Sequence, residues 1–326
     1  MALNRFIGLH FYPKSMIAKH NHLLTLLDWS PERILRVIAE AITLKNHFKA
    51  NGPSQVFKGK SLALFFEKPS LRTIATFQVG MTQLGGASLL LDPNSIGLGK
   101  RETVADVATC LSRWIDGLVV RCYDQKLVDE LAKYSSFPVI NALTDSYHPC
   151  QALAFGQTLT EHLGGLKGKR VAFIGDGNNV ANSILILAAK TGMHFTLACP
   201  EGFEQPADLL NKLTPVFEET GGSYRCLHQP EAAVESADVL YTDVWVSMGQ
   251  EDEKETRKER FLPYQINSRL LDFSKKACLV SHCLPAHRGE EITDDVMESK
   301  VNLCFDEAEN RLHIQKAILL ELIETH

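Results

Sequence analysis

The 326-residue sequence has no Cys-x-x-Cys pair among its eight cysteines, no apolar run of membrane-spanning length and no surplus of basic residues. Each absence excludes something. The cysteines, at positions 110, 122, 150, 199, 226, 278, 283 and 304, are scattered, and several sit inside apolar runs. That pattern predicts free thiols in a reducing compartment, the cytoplasm, rather than a disulfide framework. Runs such as ILILAA at 184–189 fall far short of the roughly 18 apolar residues of a membrane helix, so no membrane span is expected. A formal net charge of −5 argues against a nucleic-acid partner, which is usually met by a basic surplus. The first 27 residues hold Arg5, Lys14 and Lys19 but no acid. This faintly suggests a transit peptide, yet the stretch is short and not rich in Ser or Arg. Repeats of solenoid period and low-complexity segments are also missing. What remains is the composition of an ordinary globular chain, 45% hydrophobic and 22% charged, long enough for two domains.

Residues 28–48 read as a helix, with Ser30 as cap, Pro31 at the first helical position and Ile34, Val37, Ile38, Ile42 and Leu44 on one stripe. A buried-strand run at 61–66 is followed by the break Lys68-Pro69-Ser70 and a helical stretch over 71–84. Further strands are expected at 88–91, 117–120 and 139–141, with a helix over 103–114. The same grammar restarts after the Gly- and Lys-rich stretch 164–169, with strands at 170–174, 194–198, 239–242 and 277–282 and a helix over 179–190. Strands alternating with helices imply parallel sheets, hence an α/β fold of two tandem parallel-sheet domains. The boundaries predicted are 1–164, 165–305 and a closing segment 306–326, whose amphipathic helix over 307–323 returns to the first domain.

Five segments concentrate chemistry. Ser70-Leu71-Arg72-Thr73 places two hydroxyls and a guanidinium in the first turn of a helix behind a buried strand, where backbone N–H groups and the helix dipole favour an anion. Taken alone, the same residues also suit a plain helix cap. Gly175-Asp176-Gly177-Asn178-Asn179 opens like a dinucleotide loop, but Val180 stands where the third glycine belongs. Asp145 to Gln151 and Ser281 to Glu291 each gather polar groups just past a strand, and Cys150 and Cys283 could in principle join a zinc site, though without ligand-pair spacing. Asp243 to Gly249 leads into the charged run 250–260, which reads as a solvated loop or a mobile lid.

Taken together and in order, these features resemble the aspartate/ornithine carbamoyltransferase family from His22 onward. Ser70-Leu71-Arg72-Thr73 is similar to the family's Ser-Thr-Arg-Thr signature, and His148-Pro149-Cys150-Gln151 to its His-Pro-x-Gln. Asp243 with Ser247-Met248-Gly249, and His282-Cys283-Leu284-Pro285, match the motifs that set the ornithine branch apart. The resemblance implies transfer of a carbamoyl group to an amine, without metal or organic cofactor, between a carbamoyl-phosphate domain and an amino-acid domain. It implies Arg72, Thr73, Arg121, His148, Asp243 and Cys283 as catalytic groups. Carbamoyl phosphate would be held by Ser70, Leu71, Arg72, Thr73, Arg121, His148, Gln151, Cys283, Leu284 and Arg311. Ornithine would meet Asn179, Asp243, Ser247 and Met248. A homotrimer or larger assembly of trimers is the implied state.

Three positions depart from the family pattern. Leu71 replaces a Thr, Ile74 replaces a common Arg, and Gly97 stands where some members supply a Gln from the neighbouring subunit. These departures are also what a non-catalytic or altered-substrate paralogue with weakened carbamoyl phosphate binding would carry, and the Gly-x-Gly loop alone would suit an oxidoreductase. The weight of the matched motifs favours the transferase.

Overall fold

The computed structural model describes residues 22–99, 101–246, 249 and 251–324. The lysines and arginine of the extreme N-terminus, and with them most of the transit-peptide question, lie outside the described residues, as do Ser247 and Met248. In chain order the elements are α1 (Pro31–Asn51), β1 (Ser61–Phe66), α2 (Leu71–Gln83), β2 (Ala87–Leu91), α3 (Pro93–Ile96), α4 (Val104–Leu111), β3 (Gly117–Arg121), α5 (Gln125–Tyr134), β4 (Val139–Leu143) and α6 (Pro149–Leu163). They continue with β5 (Arg170–Ile174), α7 (Asn179–Thr191), β6 (His194–Ala198), α8 (Ala207–Thr220), β7 (Ser223–Leu227), α9 (Pro230–Val234), β8 (Val239–Thr242), α10 (Lys254–Phe261), α11 (Ser268–Leu271), β9 (Leu279–His282), α12 (Asp294–Met297) and α13 (Cys304–Leu322).

The strands form two parallel sheets, ordered β2-β1-β3-β4 and β7-β6-β5-β8-β9. Helices cover both faces, so central strands are apolar along their whole length: five of the six residues of β1 are buried, and so are all four of β8. Each sheet reverses its winding direction once, between β1 and β3 in the first and between β5 and β8 in the second. Parallel sheets bind ligands outside the carboxyl ends of the strands at such reversals. The turn carrying Ser70 to Thr73 leaves β1, and Arg121 ends β3. The loop 175–179 leaves β5, and Asp243 follows β8.

The edge strand β7, unmarked in the sequence reading, pairs only with β6 and is half-exposed along most of its length, so it lacks the apolar run that betrays a central strand. The closing helix is also different from expectation. It runs over Cys304–Leu322 and is buried nearly all round, packed against α1, α2 and α6. Asn310, one of its inward polar residues, is satisfied by those helices: Lys45 of α1 donates to Asn310 Oδ1 at 2.8 Å, and Asn310 donates to Glu161 of α6 at 2.8 Å. Ile314, Ala317, Ile318 and Leu319 join the same core as Leu62, Leu64, Phe77 and Phe155.

The charged run 250–260 is a helix over most of its length rather than a loop. Arg257 and Phe261 turn inward and pin α10 to the second sheet. Arg257 donates to the Trp245 carbonyl at 2.6 Å, pairs with the Asp176 carboxylate, and lies over the rings of Phe203 and Phe261. Burial raises the Asp176 carboxyl above its usual range while Arg257 opposes that rise. Removing the cation strands the carboxylate, so Arg257→Ala should lower unfolding stability by about 3–5 kcal/mol. Urea denaturation checks this, and a loss under about 1 kcal/mol would show the pair to be ornamental.

Candidate active site

Ser70 caps α2: its Oγ accepts the Thr73 N–H at 3.3 Å, and its hydroxyl donates to Thr73 Oγ1 at 2.8 Å. No acidic side chain occupies the first turn, so the free N–H groups and the dipole keep their positive bias. Thr73 is buried, whereas Leu71 at the first helical position is 81% exposed. Ile74 packs against the first core instead of reaching outward. Gly97 closes α3 in the left-handed region (φ 59°, ψ 42°), which accounts locally for a glycine at this departure from the family pattern.

Arg121, from β3, and Arg311, from α13, are 6% and 3% exposed. Arg311 donates to Thr73 Oγ1 at 2.5 Å, but its Nε and that of Arg121 are buried without an acceptor. Among the described residues the arginine ion pairs belong to Arg33, Arg36, Arg257 and Arg288, not to Arg72, Arg121 or Arg311. Burial and the neighbouring charges of Arg311 and Arg72 pull the Arg121 guanidinium down to about 10. His148, ahead of α6, is held well below the usual imidazole range by burial and then by Arg311 and Arg121, so it is neutral. Its Nδ1 has no partner, and its backbone N–H donates to Ser183 at 2.7 Å. The cluster gathers buried donors with no carboxylate paired to them.

Beneath it lies a residue that sequence reasoning assigned only to the helix, Glu307. It is fully buried and accepts from Gln151 of α6, Ser281 of β9 and Tyr241 of β8, the last at 2.8 Å. One carboxyl thus ties α13 to both halves of the chain. No signal at single-residue range could have marked it, because its partners are 26 to 156 positions away.

On the other side, Asp243 is 8% exposed and accepts three hydrogen bonds, each at 2.8 Å: from its neighbour Val244 N–H, from Asn178 Nδ2 and from the Cys283 thiol. Burial first, then the charge of Asp243, hold Cys283 as a thiol by raising it well above the usual range. Asn178, the first Asn of the pair, therefore holds Asp243, while Asn179 donates to the Thr144 carbonyl at 2.5 Å. His282 Nδ1 accepts the Leu284 N–H at 2.8 Å, so its proton is on Nε2, 3.0 Å from Glu291. That bond steadies Leu284, which adopts a positive φ of 56°. Lys68, buried and lying over the Tyr123 ring, pairs with Asp145 and fixes the turn before Ser70. A cleft of about 350 Å³ opens beside these loops, lined among others by Asp145, Tyr147, Asn178, Asn179 and Asn182.

Gly177 shows why the Gly-x-Gly loop is not a phosphate cradle of the dinucleotide kind. A Cβ there would meet the Phe203 carbonyl oxygen at 2.6 Å, so the glycine admits the chain's own 203–205 segment. Cys150 and Cys283 do not converge either: Cys150 turns to the Asn141 carbonyl, and Cys283 to Asp243.

Residues 21–161 match the family model described as aspartate/ornithine carbamoyltransferase, carbamoyl-P binding domain, and residues 167–322 match its Asp/Orn binding domain. The chain belongs to the aspartate/ornithine carbamoyltransferase family. It is 46% identical to an ornithine carbamoyltransferase of Halalkalibacterium halodurans over 96% of this chain and 98% of that one. It is 48% identical to one from Pyrococcus abyssi over 94% and 96%. The solved structure of ornithine carbamoyltransferase from Pyrococcus furiosus superposes with a TM-score of 0.90 at 46% identity, covering 93% of this chain and 97% of that one. The family fold of two parallel-sheet domains, with the last helix on the first, is the fold described above.

Burial pushes the Glu307 carboxyl up to about 7, above an unfolded value near 4.5, despite its three donors and Arg311. Its contribution to stability is full below the unfolded value and is lost as pH rises through 7. Glu307→Gln removes that titration. Relative to wild type, the variant should therefore gain on the order of 3 kcal/mol between pH 4 and pH 8. Urea midpoints across that range check it, and a pH-independent difference would contradict the assignment.

Proposed function

We propose that this family member transfers the carbamoyl group of carbamoyl phosphate to the δ-amine of L-ornithine, giving L-citrulline and phosphate. The observation that carries this reading is the cation cluster of buried Arg121 and Arg311 with half-buried Arg72, none of them in an ion pair among the described residues, with Arg121 within electrostatic reach of Asp243 and Cys283. The relatives in hand are named as ornithine enzymes, which favours this over a non-catalytic paralogue.

In this reading Ser70, Arg72, Arg311 and the backbone N–H groups of Leu71 and Arg72 hold the phosphate. Gln151, Cys283 and Leu284 complete the carbamoyl end. Arg121, Thr73 and neutral His148 donate toward the carbamoyl oxygen, where negative charge develops on attack. Neutral His148 polarises without adding a further cation to a site already crowded with them. Asp243 accepts from the incoming δ-amine, orients it and takes up the proton whose loss frees the nucleophilic form, which is scarce because such an amine has a reference pKa near 10.4. The new C–N bond forms as the C–O bond to phosphate breaks, and the amine's surplus proton leaves with the phosphate or through Asp243. Asn179, Ser247 and Met248 are assigned to ornithine in the same reading.

We assign residues 1–164 to carbamoyl phosphate, 165–305 to ornithine and 306–326 to the returning helix. A homotrimer is part of the same proposal, supported by exposed Leu89 and Leu90 on the edge strand β2 and by Leu71 and Trp114. Free thiols throughout support a cytoplasmic setting.

A citrulline assay on Arg72→Ala tests the reading: kcat/KM for carbamoyl phosphate should fall by about two to three decades, with Lys a poor substitute for the forked guanidinium. Near-normal kinetics would place the phosphate elsewhere. Leu71→Thr adds a hydroxyl to a phosphate-facing turn that already has its other donors. It should lower the apparent KM for carbamoyl phosphate by about one to two decades and leave that for ornithine nearly unchanged. An unaltered KM would mean that another group already fills the role of the missing Thr.

A further inference from the structure

A second cluster, unused by the transfer reaction, sits at the carboxyl ends of β6 and β7. The parallel ladder pairs Ala198 with Leu227, so the residues that follow, Cys199 and His228, come side by side, and the Cys199 N–H continues the ladder to the Leu227 carbonyl at 3.1 Å. The turn after β6 brings Glu204 back over them, with the Gly202 N–H donating to both of its carboxylate oxygens at 3.0 Å. One thiol sulfur, one imidazole nitrogen and one carboxylate oxygen thereby lie within 4.8 Å of one another.

Three further observations point to a ligand. His228 Nδ1 is 2.9 Å from the Cys199 carbonyl, which can only accept, so Nδ1 carries the proton and the Nε2 lone pair is free. That is the arrangement that fixes tautomer and ring orientation in metal-ligating histidines. Nε2 itself stands 3.9 Å from Glu204 Oε1. A second thiol, Cys226, has its sulfur 3.9 Å from that of Cys199. Two thiolates on one tetrahedral zinc, with bonds of about 2.3 Å, are separated by roughly 3.8 Å. A disulfide is the competing use of the pair, but Cys226 is level with Leu197, two positions before Cys199. The thiols are diagonal across the ladder, and bridging them requires a backbone shift. Cys199 is buried while His228 and Glu204 are exposed, which leaves the cluster a solvent face for entry.

We propose that Cys199, Glu204 and His228, with Cys226 as the fourth donor, form a site for a divalent cation of the zinc class. Mixed thiolate, imidazole and carboxylate donors suit such an ion. As it binds, each thiol releases its proton to solvent and forms a metal–sulfur bond, while Nε2 and the carboxylate supply lone pairs; nothing is oxidised or reduced.

The test is titration of Zn²⁺ into the metal-stripped full chain, counting ions per chain by native mass spectrometry. Co²⁺ loading, read by its thiolate-to-metal absorption band, accompanies it. Asp243, His282 and Cys283 form another trio within ligand distance at the transfer site, so Cys283→Ser serves as the control. Wild type should take up one more Zn²⁺ than Cys199→Ser, and the cobalt–thiolate band should persist in Cys283→Ser and vanish in Cys199→Ser. His228→Ala, altered at an exposed side chain and therefore safe for folding, should weaken Zn²⁺ binding at this site by at least about tenfold. Equal uptake by wild type, Cys199→Ser and His228→Ala, or a band lost only in Cys283→Ser, overturns the proposal. Retained citrulline formation in the Cys199 and His228 variants confirms that they fold.

Discussion

Mutual repulsion among Arg72, Arg121 and Arg311 is the constraint around which the rest is arranged. Three guanidinium groups brought together without a carboxylate would drive their supporting elements apart, and a buried, unpaired charge costs several kcal/mol. They are held by apolar packing behind them: β1 and β3 pair in register, and α13 is locked among α1, α2 and α6. The packing energy of those helices opposes the repulsion.

The second sheet meets this charge with the opposite sign but with restraint. Asp243 is committed to three donors, one of them a thiol that stays protonated. A carboxylate held in this way does not collapse onto Arg121, although it lies close enough to stabilise it. The two reversal points of the two sheets therefore present a cationic face and a carboxylate with a gap between them.

How much of this the sequence disclosed follows from the range of the interactions. Strands β1, β5, β6 and β8 coincide with the apolar runs, because a strand covered on both faces carries its own signature. Motifs such as Ser70 to Thr73 and His148 to Gln151 are contiguous, and so were readable. The edge strand β7 and helix α10 were not, since the first is half-exposed and the second buries only Arg257 and Phe261, the latter one residue beyond the charged run. Glu307, Asn178 as the holder of Asp243, and the Lys68–Asp145 pair were invisible because each depends on a partner far along the chain. The expected amphipathic character of α13 failed for a related reason: its polar stripe is buried against helices that could not be placed from the sequence.

Because α13 supplies Arg311 and Glu307, and its apolar face joins the first core, the chain has a timing problem during synthesis. At 5–20 residues per second, more than 160 positions separate His148 from Arg311, a delay of roughly 8–30 s. Throughout that interval the nascent first sheet must wait with the surface of Phe77, Phe155 and Leu64 only partly covered. The molecule is born without its catalytic pocket and acquires it in one late docking event. The pocket thus depends on a contact between segments far apart in the chain, α13 against the first sheet.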